Sequence, residues 1–407
     1  MLPGKGYLAR APGNFPVYVT PLTPLPADYT ASFVGEPNNG TITMQVGASL
    51  GINQFNLLGN PYPSALYADE FIVANTNVGA LYFWTHNTNI NSLTLQYTND
   101  DYAVYSLVGG VGTGVGVASG VDGAGQNNAP TGYISSGQGF FTKGAPIVTG
   151  IAPFYTTFTN AMRVGANNTQ FFKTSTTPVT QSNPFEKHRY WLDIANSDGA
   201  FKEALIGYVE TATMGIDRLF EAEMTLNNNI VTLYTLVDTK KMTIQGRPLP
   251  FDINDIIPLG YKSTITSTYT ISLPRFDGLF TSQHIYLEDK LLNVIHDLTN
   301  SSYSFATEIG TFEDRFVLRY TIEALGNPVF NENSVVVYKN EQGLFINTGN
   351  EVMKSVTIYD IRGRQLATQK QVRSTTTVFK NLPTTQQVLL VKIEGENGVI
   401  VTKKIVF

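Results

Sequence analysis

The side chains able to do chemistry are sparse and scattered. The four histidines, His86, His188, His284 and His296, show no HxH, i,i+4 or HExxH spacing, so a zinc centre lacks the ligand pairing it needs. No cysteine is present, which removes thiolate nucleophiles, Cys-ligated metal and disulfides. No G-x-S-x-G elbow occurs. The closely spaced acids are Asp69/Glu70, Asp100/Asp101, Glu221/Glu223 and Glu288/Asp289. Glycoside hydrolysis needs two carboxyl groups facing one substrate, but adjacent residues on a strand point to opposite faces. These acids therefore read as surface or turn residues. Asp100/Asp101 and Asp252/Asp255 could offer oxygen to calcium, though without the EF-hand pattern. Residues 109–125 are glycine-rich but lack the Lys-Ser/Thr of a phosphate loop and the βαβ setting of a dinucleotide loop. They read as a glycine-tolerant surface loop. Tyr82 and Trp84 share one face of an aromatic strand, as in a sugar platform, yet such alternation is commoner in sandwich cores. Neither catalysis nor a metal nor a cofactor is expected.

The elements that would position these residues are strands. The chain has 407 residues, 14% charged and 12% aromatic, with 36 glycines. This composition fits an extracellular β-protein of several domains and fits neither disorder nor coiled coil. No run of about 18 apolar residues occurs, so no membrane-spanning helix is expected. The expected fold is all-β: tandem β-sandwich-like domains ending in a small immunoglobulin-like β-sandwich. Residues 1–173 form a β-rich passenger domain, 174–184 a Thr/Pro/Ser linker, 185–322 a second β-sandwich, 323–333 a linker, and 334–407 the final domain. Within 1–173, the segment Asn60-Pro-Tyr-Pro-Ser64 must take an extended or turned path. A short helix follows from about Ala68, with Ser64 as a candidate N-cap. Gly4-Lys-Gly-Tyr7 and Ser136-Gly-Gln-Gly-Phe-Phe141 each read as a turn followed by a strand that packs its aromatic. Asn196-Ser-Asp-Gly199 reads as a hairpin turn.

The final domain has the clearest pattern. Seven short strands are predicted, at 334–338, 343–347, 354–359, 364–372, 375–380, 386–394 and 397–405. Gly343, Gly363 and Gly398 sit at the turns between them, and Gly395-Glu-Asn-Gly398 marks the last hairpin. Residues 326–407 carry ten Lys/Arg against six Asp/Glu, leaving seventeen against twenty-six on the rest. An acidic passenger makes nucleic acid an unfavourable partner.

VVVYKNEQGLFINTG (335–349), VTIYDIRGRQL (356–366), NLPTTQQVLLVKIEGENG and the terminal VTKKIVF resemble, in order, the type C C-terminal sorting domains of the type IX secretion system of Bacteroidetes. NLLGNPYPSALYADEFI and the Gly-x-Gly-aromatic signatures resemble a module found upstream of such domains in large flavobacterial surface proteins. The resemblance implies a non-enzymatic cargo, exported through the periplasm to the cell surface or medium. Its implied partners are an SprA-like outer-membrane translocon and a PorV-like carrier. A sorting cargo needs a signal peptide, and Met1 is followed by no such pattern. The chain is therefore expected to be the C-terminal part of a longer polypeptide. A folded β-sandwich can be recognised at a strand edge or at a basic rim, here Arg362, Arg364, Lys392, Lys403 and Lys404. The candidate recognition residues are Tyr359, Asp360, Arg362, Gly363, Arg364, Leu390, Lys392, Gly398, Lys403, Lys404, Ile405 and Phe407. Alternative readings are a surface adhesin or carbohydrate-binding module, in that setting one linked to gliding, or the stalk and tag of a secreted hydrolase.

Overall fold

Apolar β-branched and aromatic residues recur at spacings of two, and nearly every element they form is a strand. The structure is a computed structural model. It describes residues 1–9, 34–46, 55–84, 102–113, 129–144, 154–165, 167–168, 185–224, 229–322, 330, 332–340, 342–349, 351–382 and 387–407. The chain is all-β, and its α-helix among the described residues is the short Ala68–Ala74. Ser64 does not cap that helix. A strand, Ala65–Tyr67, intervenes and puts Ser64 out of reach of the first-turn amides. Its hydroxyl instead accepts from Arg163 Nε at 2.9 Å. Among the described residues no helix is long and apolar enough to cross a membrane.

In the first segment, Phe55–Gly59, Gly139–Gly144, Val78–Trp84, Tyr102–Ser106 and Gly109–Val111 make a five-stranded sheet. The two Gly-x-Gly motifs flank the same strand. Lys5 bridges Leu58 on one side, and Gly139 pairs with Gly59 on the other. Phe140 packs into the core, whereas Tyr7 stays 44% exposed, so only the second motif buries its aromatic.

Eleven strands form one central sheet between residues 187 and 319, running from Val294–Asp297 at one edge to Tyr303–Thr307 at the other. The sheet curls until its ends meet. Tyr303 Oη donates to Asp289 Oδ2 at 2.9 Å, and Arg315 binds both Asp289 and the Ala306 carbonyl. The turn at Asn196–Gly199 forms as predicted, closing Lys187–Ala195 onto Phe201–Val209.

Both faces of this sheet are covered. Trp191, Leu205 and Val209 join the core of the first segment. Their alternate neighbours Tyr190, Leu192, Ile206 and Tyr208 fill the interior of the curled sheet. The 174–184 linker and most of the 323–333 linker lie outside the described residues. The units they were expected to separate share cores, because strands apolar at both parities need cover on two sides.

Residues 336–406 form the expected seven strands in two sheets. One is Val336–Asn340, Gly343–Asn347 and Thr376–Phe379. The other runs in the order Gln365–Ser374, Met353–Asp360, Val388–Gly395, Ile400–Val406. Together they make a small β-sandwich. Gly363 and Gly398 take φ of +81° and +80° in its tight turns, where a side chain would be strained. The three-stranded sheet is a middle layer. Val337, Leu344 and Ile346 face the sandwich core, whereas Val336, Tyr338 and Phe345 enter the core of the curled sheet.

Candidate functional site

The predicted recognition residues separate into three places. Tyr359, Leu390 and Lys404 lie in one row across three strands, with Thr357, Lys392 and Thr402 in the next. These rows face away from the sandwich core, whose side is marked by Ile358, Val391 and Leu389. The turn beside this face is organised by Asp360. Its carboxylate accepts the N–H of Arg362 at 3.0 Å and of Arg364 at 2.9 Å, and Nε of Arg364 at 3.0 Å. These bonds, the Arg364 N–H first, hold the carboxyl below its ordinary range. Gly363 N–H returns to the Asp360 carbonyl at 2.9 Å. The Arg362 and Arg364 side chains are left exposed.

Gly398 is at the far end of the same sheet, about 20 Å away at the usual rise per strand residue, so the last turn and the arginine turn form no single patch. Lys403 is a correction. The register puts it beside Val391 and Ile358, on the inward face, where it is half-buried and burial lowers its amino pKa. Ile405 shares that face and packs on the core. Phe407 lies under the Lys339 amino group, 4.6 Å from the ring centroid. The outward basic residues are therefore Arg362, Arg364, Lys392 and Lys404.

A second constellation had no place in the sequence reading. Lys187, Arg189, Trp191 and Asp193 alternate along one strand and point to one face. The first three grip the backbone of the first segment. Lys187 Nζ donates to the Leu107 carbonyl at 3.2 Å, Arg189 Nη1 to Val108 at 2.9 Å, and Trp191 Nε1 to Gly110 at 2.9 Å. Glu203 accepts the Gly112 N–H at 2.8 Å. Arg189 and Arg275 lie over the Trp191 ring, at 5.1 and 4.6 Å from it. Asp193 sits directly opposite the fully buried Glu203. Burial, and then the Glu203 charge, push the Asp193 carboxyl up to about 8. Arg275 meets Glu203 at 2.9 Å. The alternation of polar residues at 187–193 was the available signal. The arrangement clamps an irregular segment onto a sheet through the Lys187, Arg189, Trp191 and Glu203 side chains.

The other candidate acids go to structural partners. Asp69 is buried beneath the Tyr67 and Tyr105 hydroxyls while Glu70 is exposed. Glu221 takes the Asp217 and Gly246 amides, and Glu223 pairs with Lys143. Glu288 pairs with Arg319 and Asp289 with Arg315. Asp255 is held by Arg247 and Tyr208 while Asp252 caps Asn254. His188 Nδ1 accepts the Leu279 N–H, His284 meets Asp297, and His296 meets the Ser301 carbonyl. Among the described residues no cluster of three or more His, Asp or Glu could hold a metal. His86, Asp100 and Asp101 lie outside them. Tyr82 and Phe83 are buried core residues, so the aromatic strand at 81–84 does not present a platform.

A family model described as a domain of unknown function, DUF8693, matches residues 1–320. A second such model, DUF8694, matches residues 324–407. No curated protein matches the chain.

Proposed function

We propose that this chain, which belongs to the DUF8693 family, is a cargo of the type IX secretion system and has no catalysis of its own. Its C-terminal sandwich is the export address, read by an SprA-like outer-membrane translocon and passed to a PorV-like carrier. The destination is the cell surface or the medium. Residues 1–320 are the passenger.

The observation that carries this reading is the terminal sandwich itself. Its outer sheet presents an edge unpaired among the described residues and a face bearing Tyr359, Leu390, Lys392 and Lys404. The exposed Arg362–Arg364 turn adjoins that face. These features sit on the segment that resembles sorting domains. A small rigid β-fold with exposed backbone and a basic rim suits capture by another β-protein.

The test keeps the protein intact. The full chain behind a signal peptide is expressed in a type IX-competent flavobacterium and in an isogenic strain lacking the translocon. Export in the first and periplasmic retention in the second is the expected result. Equal appearance outside both strains would refute the reading.

A further inference from the structure

We propose that the free edge of the strand Ile400–Val406 is captured by strand addition, with a partner protein laying an extended acidic segment beside it. This deepens the export reading and rests on it.

The edge is defined by hydrogen-bond phase. Gln387 and Phe407 exchange both backbone bonds, at 3.2 and 2.9 Å. Antiparallel pairs alternate between bonded and non-bonded. Counting along the register, Ile405, Lys403 and Val401 direct their backbone groups to Val388–Gly395. The bond from Gly395 N–H to the Val399 carbonyl, 3.0 Å, keeps the same phase. The amides and carbonyls of Ile400, Thr402, Lys404 and Val406 therefore point off the sheet. Among the described residues none hydrogen-bonds to them.

The other edges of the sandwich are less suited. Gln365–Ser374 breaks register with its neighbour twice and carries positive φ at Gln371 and Arg373. Val336–Asn340 is buried on both faces. Thr376–Phe379 has four residues. Ile400–Val406 is a seven-residue strand whose register with Val388–Gly395 has no shift.

Charge selects the occupant. A second copy pairing antiparallel over the whole edge would centre on Lys403 and set two half-buried ammonium groups side by side, a repulsive cross-strand pair. Lys404 and Lys392 present two more positive charges outward, with Glu394 the acid on those two strands. Glu394 is already engaged by Lys354 and Ser355. A partner strand with no cation opposite Lys403 avoids that inward repulsion, and Asp or Glu opposite Lys404 adds attraction on the outward face.

Thr402→Pro tests the edge, because it removes an outward N–H and no inner ladder bond, and proline is tolerated at such positions. Thr402→Val keeps the N–H and is the control. Both are made in the full chain, exported from the competent strain, and checked for an unchanged unfolding midpoint. Export should fall about tenfold for Thr402→Pro and stay near parental for Thr402→Val. Lys404→Pro repeats the test at a second outward amide, should one proline disturb folding. Normal export of a folded proline variant overturns strand addition but leaves the export reading intact, since parental export would still depend on the translocon. Normal export of Lys404→Glu overturns the acidic partner. Parental export that ignores the translocon defeats the export reading itself.

Discussion

Excising residues 326–407 should yield a fragment far less stable than the same residues in the whole chain. The cut leaves the sandwich core in place but uncovers the barrel-facing side of the three-stranded sheet. Val336, Tyr338 and Phe345 are each at most 9% exposed and belong to the core of the curled sheet. Burying each is worth about 1.5–3 kcal/mol, so their joint exposure forfeits roughly 5–9 kcal/mol, an upper estimate because unfolded chains are partly compact. The Asn347 bond to the Phe251 carbonyl, 2.9 Å, is lost as well. A domain of about 80 residues commonly has about 4–12 kcal/mol in all. The fragment should therefore melt early or aggregate through that face. Urea unfolding and amide exchange of Val388–Gly395 would measure it. A sharper check is a reversal of sign. Val336→Thr, Tyr338→Lys and Phe345→Gln together should improve the fragment's solubility while destabilising the full chain. Equal unfolding midpoints for fragment and whole, with equal exchange protection, would refute the shared core.

Three further outcomes are expected. Asp193 holds its proton up to about 8 in the folded chain, against an ordinary 3.8. The folded state binds the extra proton between those values, so this group's contribution to stability is lost as pH rises through that window. Asp193→Asn should flatten that decline, measured by urea midpoints at about pH 5 and pH 8.5; an unchanged slope would count against the carboxyl pair. A Cβ at Gly207 would lie 2.3 Å from Val108 Cγ1. Gly207→Ala should cost about 1–3 kcal/mol by overpacking, and Val108→Ala should recover part of it in equilibrium unfolding. Burial alone would raise the Asp289 pKa, but the Arg315 and Tyr303 bonds override it and hold it low. The pair's stabilisation is thus present at neutral pH and lost in acid. Asp289→Ala strands Arg315 and should cost about 3–5 kcal/mol at neutral pH, seen as a lower urea midpoint.

The last domain was legible because alternation and turn glycines agree there. All seven strands appear, and Gly343, Gly363 and Gly398 sit at positive φ. The inward turn of Lys403 was not legible. The strand Ile400–Val406 is apolar at both parities, and pairing with Val391 rather than composition picks the inner face. The shared cores were hidden for a related reason. Phe201–Val209 carries Leu205 and Val209 on one side and Ile206 and Tyr208 on the other. Such a run announces cover on two sides without naming what provides it. The clamp at 187–193 was missed because its targets are backbone carbonyls and an amide at 107–112, which have no residue signature. The misplaced Ser64 cap reflects a three-residue strand too short to show periodicity.

The middle sheet also sets a temporal order. A chain made from its N-terminus emerges with the curled sheet before the strands that cover its open side. Val336, Tyr338 and Phe345 have a place to dock only after strands as distant as Lys187–Ala195 and Gly310–Arg319 have paired. The sandwich can then settle only on a sheet whose strands have already paired, and its shape depends on that sheet being in place. A machine that engages only the settled sandwich would pass over unfinished copies without inspecting the passenger at all.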